Sequence, residues 1–590
     1  MEIYIQKKAS NEQKVKQLQK QYNQISFGRL LTVVVMLFAL YYYQKTNNAS
    51  LLYIGAFAFV GFFVLMRWHT RVAYQKKLSQ AIVDCNADEI AFLERKSIPF
   101  ENGAEYNDFQ HPYAYDLDIF GPNSLFQSLN RTGTFMGKKS LAAHLLANTK
   151  ADEIPHIQAA IKELREKLDW RQAFLATARV GQDNKSSYTR LLQWCSFNTK
   201  AVSKITTVLS YVLPIVLVGF VMGYLLTFNP IWLKYFAFLF VVNLVLAGSY
   251  VKRIMAENAH SSEINTMLDN YSQLFLKIEN EDFSASKCKQ LQQVLSVDGL
   301  PVSAKIKALS SIFSKLDSTN NLVVSVLFNG LFLFNIHILN ACLLWKKEHA
   351  KNLECDLDVI GEFEMLNSLA NFSFNNPDFA FPELNEEYKI AFESLSHPLL
   401  NPKNRVGNTV AFQPQSFIIL TGSNMSGKST FLRSLGVNMV LAGMGAPVCA
   451  TQANVHPMSV LVSMRLSDSL SDSESYFFAE IKRLKQIMDG LDESPAFVLL
   501  DEILRGTNSD DKRSGTIEVV KKVIAKKAIG AIATHDIEVC LTTNEFPQVL
   551  TNKCFEVEIK NDELHFDYQL REGICQNKSA TFLMKKMGVI

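Results

Sequence analysis

Charge is scarce in this chain, and neither sign dominates. Asp, Glu, Lys and Arg make up 20% of the 590 residues, and 60 basic against 57 acidic side chains leave a formal net charge of +3. A balance so near neutrality supplies no global basic field of the kind that announces a nucleic-acid partner. Cysteine is thin as well. Cys85, Cys195, Cys288, Cys342, Cys355, Cys449, Cys540, Cys554 and Cys575 are scattered, with no C-x-x-C pair. That pattern excludes a disulfide scaffold and a structural zinc site, and it predicts buried thiols in a reducing compartment. There is no internal repeat and no low-complexity tract. Roughly 27 polar, lysine-bearing residues precede the first apolar run, too long an n-region for a secretory signal, so no cleavage is expected.

What the chain has instead is local grease. Hydrophobic residues are 48% of the total and Phe alone occurs 41 times. Leu30–Gln44 and Thr46–Met66 are uncharged and joined by a short turn, and Ile205–Phe228 and Tyr235–Val251 repeat the arrangement around Asn229-Pro230 with Lys234 in the join. A bilayer takes ~20 apolar residues, and shorter runs suffice where flanking groups snorkel. Arg29, Lys45 and Lys234 are placed to do so, and Pro214 predicts a kink. The reading is four transmembrane helices in two hairpins. Lysine and arginine bracket both hairpins (Lys20, Arg29, Arg67, Arg71; Lys200, Lys204, Lys252, Arg253) and are nearly missing from the turns. The positive-inside rule then puts both termini and the bulk of the chain in the cytoplasm, at a membrane of the bacterial inner-membrane type. A fifth run, Leu322–Trp345, has the length of a span but carries Asn329, Asn335, His337 and Asn340. Those groups are costly in lipid, and an odd span count would move the remainder to the far side. The run is therefore expected to be one long buried helix.

The expected organisation is a polar head (1–27), hairpin 1 (28–68), a connector with the first part of a helical core (69–200), hairpin 2 (201–251), the second part of the core (252–400) and a nucleotide domain (401–590). Residues 105–200 and 252–395 show helical texture, punctuated at Pro155, Ser186-Ser187, Ser284-Ala285-Ser286 and Asn375-Asn376-Pro377. From about 400, short β-rich runs (SFIIL, AFVLL, AIGAIA) alternate with amphipathic helices, the pattern of a parallel-rich α/β sheet.

The run Ser416–Leu420 leads into Gly422, Ser423, Asn424, Met425, Ser426, Gly427, Lys428, Ser429 and Thr430, which fits G-x-x-x-x-G-K-[ST]. Glycines let backbone N–H groups close around phosphates, and the following helix turns its positive end toward them. Lys428 is expected to reach the β/γ-phosphates and Ser429 to ligate Mg²⁺, with ATP as the nucleotide. Phe497–Leu500 ends in Asp501-Glu502, where Asp501 suits Mg²⁺ and Glu502 suits polarising the attacking water. His535 ends a further β-run and is expected to sense or position the γ-phosphate.

The order TGSNMSGKST, SMRLSDSL, SESYFFAEI, LLDEILRGTNSDD and ATHD resembles the ATPase domain of the MutS family. A transporter-type ABC ATPase would carry an LSGGQ-like stretch before its second strand motif, and none is present. The resemblance implies that Ser475 reaches a partner subunit's γ-phosphate and that Arg505, Gly506, Thr507, Asn508 and Ser509 form an interfacial loop. It therefore implies a homodimer with composite sites. Upstream, Ser124–Leu146 and Glu362–Phe374 are similar to the start and end of that family's core and lever helices, and His397-Pro398-Leu399 and Asn408 to its approach to the nucleotide. Arg405-Val406-Gly407 stands where an aromatic often faces adenine, so any stacking there falls to a guanidinium. The implied fold class is an α/β P-loop ATPase domain with an all-α MutS-like core and lever domain. The implied function is an ATP-dependent sensor of mismatched or damaged DNA. Against this, the stretch Arg67–Asn123 is too short for a mismatch-recognition domain, and hairpin 2 falls where the family inserts its DNA clamp. The alternative is a mechanochemical ATPase whose levers act on lipid or on a membrane or repair protein.

Overall fold

The computed structural model describes the chain except for residues 148, 182, 198–199, 259–263, 297–298, 466–475, 561–562 and 576–590. It begins with two 45-residue helices, α1 (Glu2–Thr46) and α2 (Ala49–Leu93), packed along one another. At 1.5 Å per residue each is about 68 Å long. Asn47 closes α1 in a left-handed conformation, and the Asn48 side chain caps α2 by accepting from Ser50 N. Residues 1–27 and the first apolar run are thus one uninterrupted helix, as are the second run and its charged extension to Leu93.

Short helices α3 (Leu125–Leu129), α4 (Phe135–Leu146), α5 (Ile154–Glu166), α6 (Leu168–Val180) and α7 (Lys185–Ser196) come next. Pro155 sits in the first turn of α5, where its missing N–H costs nothing, and Ser186-Ser187 open α7 rather than interrupting it. After them stand the apolar pair α8 (Lys204–Thr227), continuous through Pro214, and α9 (Ile231–Gly248), then α10 (Val251–Asn258), α11 (Ile264–Glu279), α12 (Ser286–Val294) and α13 (Val302–Ser318). Among the described residues α1, α2, α8 and α9 are long and apolar enough to cross a membrane.

The single buried helix expected over Leu322–Trp345 is instead two, α14 (Leu322–Phe332) and α15 (Phe334–His349), bent by 87°. Asn329 makes the break tolerable. Its carbonyl takes the N–H of left-handed Leu333, and its side chain takes the N–H of Asn335 at 2.8 Å. α14 is largely exposed, whereas α15 buries Ile336, Leu339 and Cys342.

Helix α16 (Leu353–Asn375) is buried along nearly its whole length. Here the two ends of the helical core meet. Glu364 accepts from Gly133 N (2.7 Å), Thr134 N (3.1 Å) and the Thr134 hydroxyl, while Thr134 caps α4 through Gly137 N. Complete burial pushes the Glu364 carboxyl up to about 7 from an ordinary 4.5, against the pull of those donors. Between those two values the folded protein holds a proton that the unfolded chain releases. The stability this contributes is therefore present below pH 4.5 and lost as pH rises through about 7, on the order of 3 kcal/mol. We expect the unfolding midpoint of the core to fall between pH 5 and pH 8, and Glu364→Gln to flatten most of that slope. An equal slope in both proteins would exclude Glu364 as its source.

The C-terminal domain holds two larger sheets. One is the four-stranded order β1-β5-β2-β3, from β1 (Glu383–Leu384), β2 (Ile390–Leu395), β3 (Asn408–Phe412) and β5 (Gln452–Val455). The other is six-stranded, β12-β9-β4-β8-β7-β6. Its strands are β4 (Phe417–Gly422), β6 (Ser459–Ser463), β7 (Ala496–Asp501), β8 (Ile529–Ala533), β9 (Leu550–Phe555) and β12 (Leu570–Glu572). All its pairs are parallel except β12 with β9. A small hairpin, β10 (Glu558–Lys560) with β11 (Glu563–His565), completes the strands. Helices α17 (Lys428–Gly443), α18 (Tyr476–Glu493), α19 (Ser509–Ala525) and α20 (Ile537–Leu541) complete the domain. The segment before α3 fastens it to the core. Asp116 receives Arg483 at 2.8 Å and Asp118 receives Arg465 at 2.7 Å and Arg433 at 3.2 Å.

Candidate functional site

Strand register builds the site. Leu420 of β4 and Asp501 of β7 both stand abreast of Ala533 of β8, so the residues after these three strands emerge at one edge of the sheet. Outside the carboxyl ends of parallel strands is where such sheets bind ligands. From β4 comes Gly422–Thr430, from β7 Asp501-Glu502, and from β8 Thr534-His535.

Two glycines in the first loop are required by geometry. A Cβ on Gly422 (φ 154°) would lie 2.6 Å from Ser426 Oγ and 2.8 Å from Phe555 O. Gly427 (φ 105°) precedes α17, and a Cβ there would press on the Tyr568 ring at 3.1 Å. Lys428 is buried, with Nζ donating to Gly422 O (2.9 Å) and Ser423 O (3.1 Å) and lying 3.5 Å from His535 Nε2. Burial lowers its pKa, with the Glu502 and Asp501 carboxylates opposing. Asp501 is buried and raised by desolvation, while a hydrogen bond from the Ser429 hydroxyl pulls it back. Among the described residues its Oδ1 has no partner, nor have the buried Ser423 and Ser426 hydroxyls. Unpaired buried acceptors beside a hydroxyl and a lysine are the donor set expected of a Mg²⁺–phosphate site, so the residues present fit Mg²⁺-ATP.

Glu502 adopts φ 47°, a strained setting for a glutamate. Its Oε1 lies 2.7 Å from His535 Nε2, and that bond, more than any other influence, holds its carboxyl down to about 2. Arg505 curls back on its own strand end, donating to Glu502 O (2.9 Å) and Asp501 O (3.1 Å). The loop is pinned by Glu480, which accepts from Leu504 N (2.5 Å) and Arg505 N (3.1 Å). Gly506 to Ser509 lie toward solvent, and Asn508 caps α19 through Asp511 N. Ser475 lies outside the described residues.

Asn424, Met425 and Thr430 join the other loop residues around a cavity of about 690 Å³ bounded by His397, Asn408, Glu502 and Tyr568. Burial brings the His397 imidazole down to about 4, so it is neutral at pH 7. Arg405 does not line this space. It lies over Phe379 (5.0 Å) and donates to Cys449 Sγ (3.1 Å). Tyr568 lines the cavity together with Phe431 and Phe555, and the Tyr568 carbonyl accepts from Asn408 Nδ2 (3.0 Å) while Asn408 Oδ1 takes Leu570 N (2.7 Å). No local signal marks Tyr568, because it reaches the site only through the antiparallel β12–β9 pairing.

Comparison with known proteins agrees with this architecture. Residues 418–589 match the family model of MutS domain V. The human MutS protein homolog 4 is 28% identical over 243 residues, 39% of this chain and 25% of that protein. The DNA mismatch repair protein MutS of Haloquadratum walsbyi is 28% identical over 248 residues, 40% of this chain and 26% of that protein. That of Aquifex pyrophilus is 29% identical over 239 residues, 39% of this chain and 27% of that protein. The chain spans about a quarter of the length of these curated relatives. Through this C-terminal part the chain carries a domain similar to the MutS-type ATPase domain.

Proposed function

We propose that this protein is a membrane-anchored MutS-type ATPase that hydrolyses Mg²⁺-ATP at composite sites of a homodimer. One observation carries the reading: Lys428, Ser429 and Glu502 line one cavity, and Asp501 and His535, from adjacent strand ends, bond to Ser429 and Glu502 respectively. In this reading Gly422–Thr430 is a P-loop whose N–H groups and Lys428 hold the phosphates. Ser429 and Asp501 would hold Mg²⁺, which when bound neutralises phosphate oxygens. Glu502 accepts the proton of the attacking water, His535 orients Glu502, and Ser475 and Arg505–Ser509 serve the partner subunit.

By likeness to relatives named for DNA mismatch repair, the nucleotide cycle would open and close the core helices around damaged or mismatched DNA. A second reading, in which the levers act on lipid or on a membrane partner without DNA, is favoured by the exposed apolar faces of α1, α2, α8 and α9. α11 and α12, which come after the second hairpin, fold back on α5, α6 and α16, and α13 packs against α11.

The test is steady-state hydrolysis by the full chain in nanodiscs with Lys428→Ala as blank. Homoduplex, mismatched and branched DNA are added at two salt concentrations. Stimulation by mismatched or branched DNA with a steep salt slope supports the repair reading. Hydrolysis indifferent to DNA but dependent on lipid supports the second, and activity undiminished in Lys428→Ala would sink the site.

A further inference from the structure

We infer that α14 is a re-entrant helix, dipping into the hydrocarbon layer beside α8 and α9 and returning on the side it entered, so that its outer face is a lipid-contact surface. The inference rests on the membrane reading of hairpin 2.

The two ends of the α14–α15 unit meet at one place. Before α14, Asn320 Oδ1 accepts from Asn258 Nδ2 at 2.7 Å. Near the end of α15, Lys346 Nζ donates to Glu257 Oε2 at 2.8 Å. Glu257 and Asn258 are neighbours at the end of α10, whereas a span would part its ends by the ~30 Å of a hydrocarbon core. Eleven residues of α14 rise only about 16 Å, half that depth.

Apolar surroundings require backbone groups to be satisfied within the protein, and groups freed at the break between those ends find partners there. At the 87° bend, Asn329 serves Leu333 N and Asn335 N, and Asn243 of α9 donates to Gly330 O at 2.9 Å. Gly330 lets α14 sit this close, since a Cβ there would lie 2.2 Å from the Phe240 ring. On the return, His337 Nε2 lies 3.1 Å from Ser210 O and Asn340 Nδ2 donates to Thr207 Oγ1 at 3.3 Å, both on α8. The four polar groups that argue against lipid in the linear sequence all face protein.

What α14 turns outward is apolar. Leu322 and Val323 are 78% and 66% exposed, and Val326, Leu327, Phe328 and Phe332 are exposed too. The helix carries no charge, and its face continues the exposed apolar surface of α8 and α9 against which it packs. A contiguous apolar patch of this kind marks an interaction surface, and its continuity with a membrane hairpin selects acyl chains as the occupant.

The experiment places p-benzoylphenylalanine singly at Leu327, at Ile215 on the exposed face of α8, and at Leu276 on the exposed face of α11, in the full chain in nanodiscs. After illumination, lipid adducts are read by mass spectrometry. Adducts at Ile215 and Leu327 with none at Leu276 are expected. Adducts at Ile215 alone would overturn the inference and leave the membrane reading standing, while none at either would overturn both. The same-side return is read separately by an impermeant amine reagent on oriented vesicles. Exposed Lys315 and Lys347 should react from one and the same side, and reaction from opposite sides would make the unit a span.

Discussion

Glu502→Gln is expected to lower the turnover of ATP by roughly 10²–10⁴-fold while leaving nucleotide binding within a few-fold of the parent. Geometry places this residue first. The carboxylate lines the cavity, lies 2.7 Å from the His535 ring and comes directly after Asp501. Electrostatics then sets its form. The carboxyl is held down to about 2, so the free protein presents it ionised, able to take a proton from water. Glutamine keeps the size and can still meet His535, but it cannot accept that proton. The groups proposed to hold the phosphates, Lys428 and the loop N–H groups, are untouched, so binding should survive. Single-turnover hydrolysis and equilibrium binding of a fluorescent ATP analogue, measured side by side, separate the two effects. Turnover of Glu502→Gln within three-fold of the parent would assign the base elsewhere. Loss of binding in parallel with turnover would mean that the strained φ of 47° is a folding requirement of the loop.

The second large effect lies far from the nucleotide. Glu89, near the end of α2, is buried and accepts from Arg131 Nε (2.6 Å) and Nη2 (3.2 Å), Asn371 Nδ2 (2.9 Å) and Asn375 Nδ2 (3.0 Å). Arg131 is sandwiched by Phe100 (3.6 Å) and Phe92 (4.8 Å) and donates to Ser128 O. Tyr4 of α1 joins through Asn375 Oδ1 at 2.8 Å, so both helices of the first hairpin are tied to α16 here. Removing one member of such a pair strands a buried charge, which costs about 3–5 kcal/mol, whereas replacing both by apolar groups is often near neutral. Glu89→Ala should therefore lower the unfolding midpoint of the core markedly, and Glu89→Met with Arg131→Met should recover much of the loss. A double variant as destabilised as the sum of the singles would show that the two residues act independently. Intrinsic fluorescence under denaturant, with the chain in nanodiscs, reads the midpoint without assuming a two-state transition for so large a protein.

The Gly422–Thr430 loop, the carboxylate pair, His535, the four apolar helices and the switch to α/β texture near residue 400 are all legible in the linear chain. Each is local: a motif within ten residues, a strand end, or an uncharged apolar run long enough to cross a bilayer. The tertiary structure alone decided what depends on partners distant in sequence. Glu364 and Thr134 find each other across the whole of the inserted second hairpin, and Glu480 reaches past β7 to hold the loop at Arg505. Tyr568 lines the cavity, whereas Arg405, which the sequence offers, does not, because that guanidinium finds Phe379 and the Cys449 sulfur instead. Leu322–Trp345 reads as one helix because its composition is continuous. It breaks because Asn329 and Asn243 satisfy the freed backbone groups, and only the packed fold brings Asn243 there. Periodicity reports which face of an element is apolar. Which polar atom will meet which is set by how the elements pack, and no window of the sequence contains both partners.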